Sequence, residues 1–226
     1  MSDVFPTNIY NWPAVDLTAF CSGQTATTGT DLTLNGTLVP VGVRNPVASL
    51  IAMGMARTVS INSTADASGS TFTVYGTLNG WPVSQTITGP NNTTVYTTQI
   101  FDTVSRVSVA GAGAVIVTVG TGLTGRTTWF ACDYKSQNQV VTAQVIKNND
   151  VINWQARVSL LRVTSAIDPP SLAIDSINED SELVSSIDQN IAVMAIFILP
   201  GAPPPDGTLT NASGSLTAYI LERPTY

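Results

Sequence analysis

The chain contains no histidine. That absence removes the commonest general base, the commonest metal ligand and the Ser-His-Asp triad, and with them most hydrolase mechanisms. Charge is scarce as well: 11% of the 226 residues are Asp, Glu, Lys or Arg, against roughly 25% in an average soluble domain. The two cysteines, Cys21 and Cys132, are too few and too separated for a disulfide framework or a zinc knuckle, and read as small buried or half-buried thiols. The longest strongly apolar run, Ile191 to Leu199, falls well short of the roughly 20 residues a helix needs to span a bilayer. Met1 to Pro6 offer no basic segment leading into an apolar one. No secretory signal or membrane association is therefore expected, and the chain is expected to be made in a cytoplasm and to stay soluble.

Net charge is −6 with a pI near 4.3. The nine basic residues are scattered from Arg44 to Arg223 without a patch or an RNA-reading aromatic motif. Free nucleic acid is not an expected partner. In place of charge, Thr, Ser, Asn and Gly fill the polar role beside a 43% hydrophobic content, a composition suited to neutral faces packed against other protein. A chain of this length makes one large β domain or two of about 110 residues, and buries roughly 70% of its extended surface.

The clearest stretch is Arg57 to Gly122. Apolar and small polar residues alternate through Arg57–Ile61, Phe72–Tyr75, Val83–Ile87, Val104–Val109 and Val115–Val119, the period of a half-buried strand. Between them lie Asp66-Ala67-Ser68-Gly69, Asn79-Gly80, Gly89-Pro90-Asn91-Asn92 and Gly111-Ala112-Gly113, which supply the backbone angles that reversals need. About six strands at this spacing have the rhythm of an antiparallel sandwich or barrel. The expected fold is all-β: two antiparallel β-sandwich or barrel-like domains, at 25–125 and 126–226, with an extended N-terminal arm at 1–24.

The arm carries Phe5, Tyr10, Trp12 and Phe20, which must be buried on its own domain or on a neighbouring subunit. Asp31–Gly36 and Leu38–Val43 are expected strands, the second confined to an edge or bulge by Pro40. Residues 46–56 fit a short helical turn or a strand. In the second domain, the runs flanking Asn148-Asn149-Asp150 are expected to form a hairpin. The acidic segment 172–188 is the one place where a short helix is expected. Ile191–Leu199 reads as a central strand or one packed on a partner. Pro203, Pro204 and Pro205 stiffen an exposed loop at 201–207, and 215–223 reads as a closing strand.

Chemistry is thinly represented. A carboxylate-pair glycosidase needs only two facing acids, but the acids between Asp175 and Asp188 are mixed with Ser and Asn like a solvated face. Asp66-Ala67-Ser68-Gly69 and Asp102-Thr103-Val104-Ser105 miss the Asp-Thr/Ser-Gly signature of aspartic proteases and read as turns or strand starts. Asp175, Asn178, Glu179 and Asp180 could offer oxygen ligands to calcium, without the spacing or central glycine of an EF-hand. Gly120, Gly122 and Gly125 are followed by neither Lys-Ser/Thr nor a helical pattern, so they form no phosphate cradle. No catalytic residue, cofactor or metal is expected.

The pattern Arg57-x-Val-x-Ile, Asp66-x-Ser-Gly-x-x-Phe-x-Val-x-Gly-Thr77, Thr86-Ile-Thr-Gly-Pro-Asn91, Phe101-x-Thr-Val and Val117-x-Val-Gly-Thr121 resembles a module of virion structural proteins in tailed bacteriophages. It covers residues 57–122, under a third of the chain. The resemblance implies a packing element without catalytic residues. The expected function is a non-enzymatic structural subunit of the virion: capsid decoration or cement, head-to-tail collar, tail or fibre attachment. Its expected partners are further copies of itself in a symmetric homo-oligomer and other virion proteins. Candidate interface residues are Phe5, Tyr10, Trp12 and Phe20 of the arm and Pro203, Pro204 and Pro205 of the loop. The alternative is a carbohydrate-binding β-sandwich module of a fibre or adhesin, with Trp81, Tyr75, Tyr96 and Trp129 as stacking residues for a glycan.

Overall fold

With so few charges and so many β-branched residues, backbone pairing between strands is the main way for this chain to satisfy its own N–H and C=O groups while burying apolar side chains. A computed structural model describes residues 5–12, 14–50, 55–111, 114–131, 139–147, 153–177, 182–187, 193–199 and 216–224. Among these the chain is all-β with no helix, and its sheets are antiparallel. The strands are β1 (Phe5–Trp12), β2 (Cys21–Ala26), β3 (Ala48–Ser49), β4 (Met55–Asn62), β5 (Ser70–Leu78) and β6 (Trp81–Thr88). There follow β7 (Thr94–Phe101), β8 (Thr103–Gly111), β9 (Val115–Thr127), β10 (Phe130–Ala131) and β11 (Gln139–Lys147). The last are β12 (Asn153–Ser159), β13 (Leu172–Ile177), β14 (Glu182–Ile187), β15 (Val193–Leu199) and β16 (Leu216–Pro224). The chain divides into two units, one of residues 15–52 and 56–123 and one of residues 1–14, 53–55 and 124–226.

In the unit 15–123, a four-stranded antiparallel sheet has the order β3-β8-β5-β6. A second set places β4 between β9 and β7, with β2 on β9. Alternation decides which residues go inside: Phe72, Val74 and Leu78 of β5 are buried while Thr71, Thr73 and Tyr75 are not. One apolar cluster joins Phe72, Val74, Val107 and Val109 from the first sheet with Val59, Ile61, Phe101, Val117 and Val119 from the second set. Phe20 is fully buried in the same cluster. The β5–β6 reversal is a two-residue loop in which Asn79 and Gly80 have φ of 55° and 79°, the signs of a type I′ turn. At the register shift between Tyr75 and Gly76, a Cβ on Gly76 would lie 1.8 Å from the Thr103 carbonyl oxygen. The backbones cross there at a distance only glycine permits.

Residues 31–43 form no strand, contrary to the sequence expectation; only Asp31 makes an isolated bridge, to Ser108. Their apolar residues are still used, with Leu32, Leu34 and Val39 buried, but the backbone finds partners one group at a time. Leu32 N–H donates to Val107 O, Asn35 and Gly36 N–H to Phe20 O, and Leu38 N–H to Ala19 O. The Gln24 amide bonds both backbone groups of Thr33, taking the place of a neighbouring strand. Gly42, at φ 77°, and Asn45, at φ 57°, turn the second run instead of extending it.

In the unit 124–226, a four-stranded antiparallel sheet has the order β1-β16-β11-β14. A further ladder runs β13-β12-β15, with β15 also pairing β10 and, at Phe197↔Arg126 and Ile198↔Gly125, the end of β9. β15 therefore has strands on both sides. β11 and β12 do not pair with each other, so the expected hairpin around Asn148-Asn149-Asp150 is not formed. β11 lies between β16 and β14, and β12 between β13 and β15, which leaves neither with an edge for the other. The expected short helix within 172–188 is likewise replaced by two strands, β13 on β12 and β14 on β11, because sheet edges next to them accept their backbone groups. Pro203, Pro204 and Pro205 lie outside the described residues.

Asp16 ties the start of the unit 15–123 to β9. Its N–H donates to Thr121 Oγ1 at 2.9 Å, and its carbonyl accepts from Thr121 N–H at 2.8 Å. Partial burial raises the energy of its carboxylate, yet donors from Thr37 and Thr18 outweigh that and hold its pKa below the ordinary 3.8. A depressed carboxylate pKa stabilises the fold fully above the unfolded value, and that contribution is lost as pH falls through the folded value. Asp16→Asn is expected to flatten the fall in stability below about pH 4, measured by urea denaturation across pH. Gly76→Ala is expected to cost about 1–3 kcal/mol through the clash with Thr103. Gly80→Ala, whose new methyl would meet open space, is expected to cost only the about 1–2 kcal/mol of its left-handed backbone; paired urea melts check the ranking.

Candidate interaction surface

Segment 160–171 follows β12 and is held by side chains instead of a ladder. Ser159 Oγ donates to Pro170 O at 2.7 Å and accepts from Leu161 N–H at 3.1 Å. Ser165 Oγ accepts from Ile167 N–H at 3.2 Å, a local hydroxyl turn. Asp168, restricted by the proline after it, points its carboxylate at Arg126. Arg126 Nε donates to Asp168 Oδ2 at 2.8 Å and Nη2 to Oδ1 at 2.6 Å, a two-pronged ion pair. Trp129 Nε1 adds a third donor to Oδ1 at 3.0 Å, and its ring centroid lies 5.6 Å from the Arg126 guanidinium carbon. The Arg126 side chain is fully buried, so this anchor is inside the unit while the segment it anchors faces out.

What the anchor presents is apolar. Leu160 and Leu161 are 57% and 58% exposed, and Ile167 is 80% exposed. Leu161, Ile167, Pro169 and Pro170 line an open groove of about 360 Å³, flanked by Arg162 and Asp168. In the unit 15–123, a second apolar projection is the 40–47 loop, where Val41 is fully exposed and Val43 about half exposed on either side of the left-handed Gly42. Val41 and Val43 fall in the Leu38–Val43 run that alternation marks as a strand, whereas the apolar residues of 160–170 follow no strand or helix period. The available signal was an apolar pair or triplet set among turn residues, with no period to bury it.

Of the arm residues, Phe5, Tyr10 and Trp12 lie on β1, paired with Glu222, Ala218 and Leu216 of β16, whereas Phe20 is buried in the core of the unit 15–123 and has no surface to offer a neighbour. Of the aromatic residues considered for glycan stacking, Tyr75 and Trp81 lie on opposite faces of one sheet. Tyr75 lies under Arg106, whose guanidinium carbon is 3.9 Å from the ring centroid. Trp81, 53% exposed, pairs with Leu78 and so lies on the sheet face opposite Tyr75. Tyr96 is on β7, and Trp129 is committed to Asp168.

Several titratable groups among the described residues hold backbone in place. Arg57, 1% exposed, donates from Nε and Nη2 to Gly122 O at 3.1 and 2.7 Å, clamping β4 to β9, and burial pushes its pKa down to about 9. Asp66 caps its turn by accepting from Ser68 N–H, and bonds from Ser68 hold its carboxyl below the usual range. Asp102, 2% exposed, accepts from Asn79 N–H and so fixes the β5–β6 turn. Cys21 is fully buried and its thiol is pushed up to about 12 by burial, which leaves little reactive thiolate. Among the described residues, no three His, Cys, Asp or Glu side chains gather as a metal site, and no helix is long and apolar enough to cross a membrane. Asn178, Glu179 and Asp180, considered for calcium, lie outside the described residues.

No protein-family model matches the chain, and no curated protein matches it.

The anchor generates a direct expectation. Asp168→Ala takes the carboxylate from a fully buried guanidinium, a change that costs about 3–5 kcal/mol in buried pairs. The lower end is expected here because Asp168 keeps 26% of its side chain exposed. Limited proteolysis should show new cleavage within 160–170 before the rest of the unit is cut.

Proposed function

We propose that this chain is a non-enzymatic structural subunit of a tailed-phage virion that assembles through interfaces with its own copies and with other virion proteins. The observation that carries the reading is the apolar surface at Leu160, Leu161 and Ile167, held out on a rigid anchor by a chain with very few charges. Exposed apolar groups on a flexible tail are a solubility cost with no return; on a fixed frame they are a preorganised contact. The resemblance of residues 57–122 to virion modules supplies the class of assembly. In this reading each unit is a sandwich-like β domain, and the subunit is made in the host cytoplasm and ends in the particle. Capsid decoration or the head-to-tail collar fits better than a tail tube, since no long stacking hairpin is evident in the sequence.

A second reading, a carbohydrate-binding module, draws on exposed Trp81. Of the other rings considered, Tyr75 lies on the opposite sheet face and Trp129 is committed to Asp168, and that weakens it.

Light scattering and negative-stain imaging of the purified chain separate the two. Structural assembly predicts a closed oligomer that Leu161→Asp with Ile167→Asp reduces to smaller species without changing the far-ultraviolet circular dichroism. The carbohydrate reading predicts a monomer that binds a glycan array and loses binding in Trp81→Ala. A monomer at every concentration reached, silent on the array, would remove both.

A further inference from the structure

Two buried hydroxyls of the unit 15–123, Ser60 Oγ on β4 and Thr118 Oγ1 on β9, find no hydrogen-bond partner among the described residues. Ser60 is completely inaccessible, and Thr118 is half-buried with its oxygen sealed. An unpaired buried hydroxyl costs the fold its full desolvation, so native structures rarely tolerate one.

Alternation places both hydroxyls on one face of the sheet. Val59 and Ile61, on either side of Ser60, point into the core, as do Val117 and Val119 on either side of Thr118, so the two hydroxyls leave from the opposite face. β4 and β9 are neighbours. Arg57 Nε donates to Gly122 O and Ser63 Oγ to Ile116 O, six residues apart on each strand, so the register between them runs without a bulge. A Cβ on Gly122 would strike Thr58 Oγ1, which sets Thr58 opposite Gly122 and, two residues on, Ser60 opposite Gly120. Thr118 is then the diagonal neighbour of Ser60. The glycine explains the unpaired hydroxyl: β9 has no side chain to offer Ser60, and the Asp16–Leu17 backbone lies where a Cβ on Gly120 would be. The Asp16 carbonyl is itself engaged by Thr121 N–H.

We infer that Ser60 and Thr118 form a binding site for one ordered water, which bridges β4 to β9 on the face away from the core. Two O–H···O bonds of about 2.8 Å span hydroxyls up to about 5.5 Å apart, a separation within reach of short side chains on a diagonal pair. Two hydroxyls, each able to donate or accept, give the water the polar partners it needs. The ligand is neutral because the face is: Thr58, Ser60 and Asn62 of β4 and Ile116, Thr118, Gly120 and Gly122 of β9 carry no charge. The water does for β9 at Gly120 what a polar side chain would do, while the glycine keeps the close approach of Asp16 and Leu17. The site lies within the unit 15–123 and is independent of the assembly reading.

Two measurements test the bridge. A high-resolution crystal structure of the parent chain is expected to show one water about 2.5–3.0 Å from both oxygens. Density at neither hydroxyl, or against only one, overturns the inference. Urea melts of Ser60→Ala, Thr118→Val and the double variant supply an energetic readout. With a shared water, each single change lowers the unfolding midpoint, and the double change lowers it by less than the sum, because both remove the same bridge. Dry hydroxyls predict the opposite sign for Ser60→Ala, a midpoint unchanged or raised once an unpaired polar group is gone. That result, or full additivity of the two changes, overturns the bridge. Should a variant fail to fold, the crystal structure of the parent decides.

Discussion

The structure depends on how closely other backbones can approach β9. This thirteen-residue strand pairs with β2 along Val115–Val119, with β4, and at Gly125 and Arg126 with β15. Gly120 and Gly122 make that possible: a Cβ on the first would lie 2.0 Å from Asp16 O, and on the second 2.1 Å from Thr58 Oγ1. Arg57 then holds the Gly122 carbonyl from the neighbouring strand with two donors. A side chain at Gly122 would push β4, which carries Val59 and Ile61, away from β9, and one at Gly120 would push the Asp16–Leu17 backbone away from β9.

Buried charge in this protein serves geometry. Arg57 and Arg126 are both almost completely inaccessible, and each fixes a backbone position by donating in a fork, to a carbonyl in one case and a carboxylate in the other. A planar guanidinium suits that task because its donors are preset, so less freedom is lost per bond. Desolvating them is costly, and the return is a defined loop or strand crossing. Around Asp168 the consequence is functional in the proposed reading: the anchor sits inside while Leu161 and Ile167 face out.

Much of the fold was legible in the sequence. The alternation from Arg57 to Gly122 corresponds to β4 through β9, and Asn79-Gly80 is the tight turn its residues specify, because strand period and positive φ are local properties. The segment 31–43 had the right apolar residues and misleading alternation, since local pattern does not reveal that Phe20 O, Ala19 O and the Gln24 amide supply its hydrogen bonds. The 148–150 turn residues suggested a hairpin, but pairing is decided by which edges are open, and β11 and β12 had none for each other.

By itself the sequence determined that this is a β protein without histidine, because residue identity and the alternation of side chains are written residue by residue. Only the tertiary structure decided which strands are neighbours, that Phe20 is core while Leu161 and Ile167 are surface, and that β1 completes a sheet far from it in sequence. Those outcomes depend on long-range closure, in which the partner of each backbone group lies tens to hundreds of residues away.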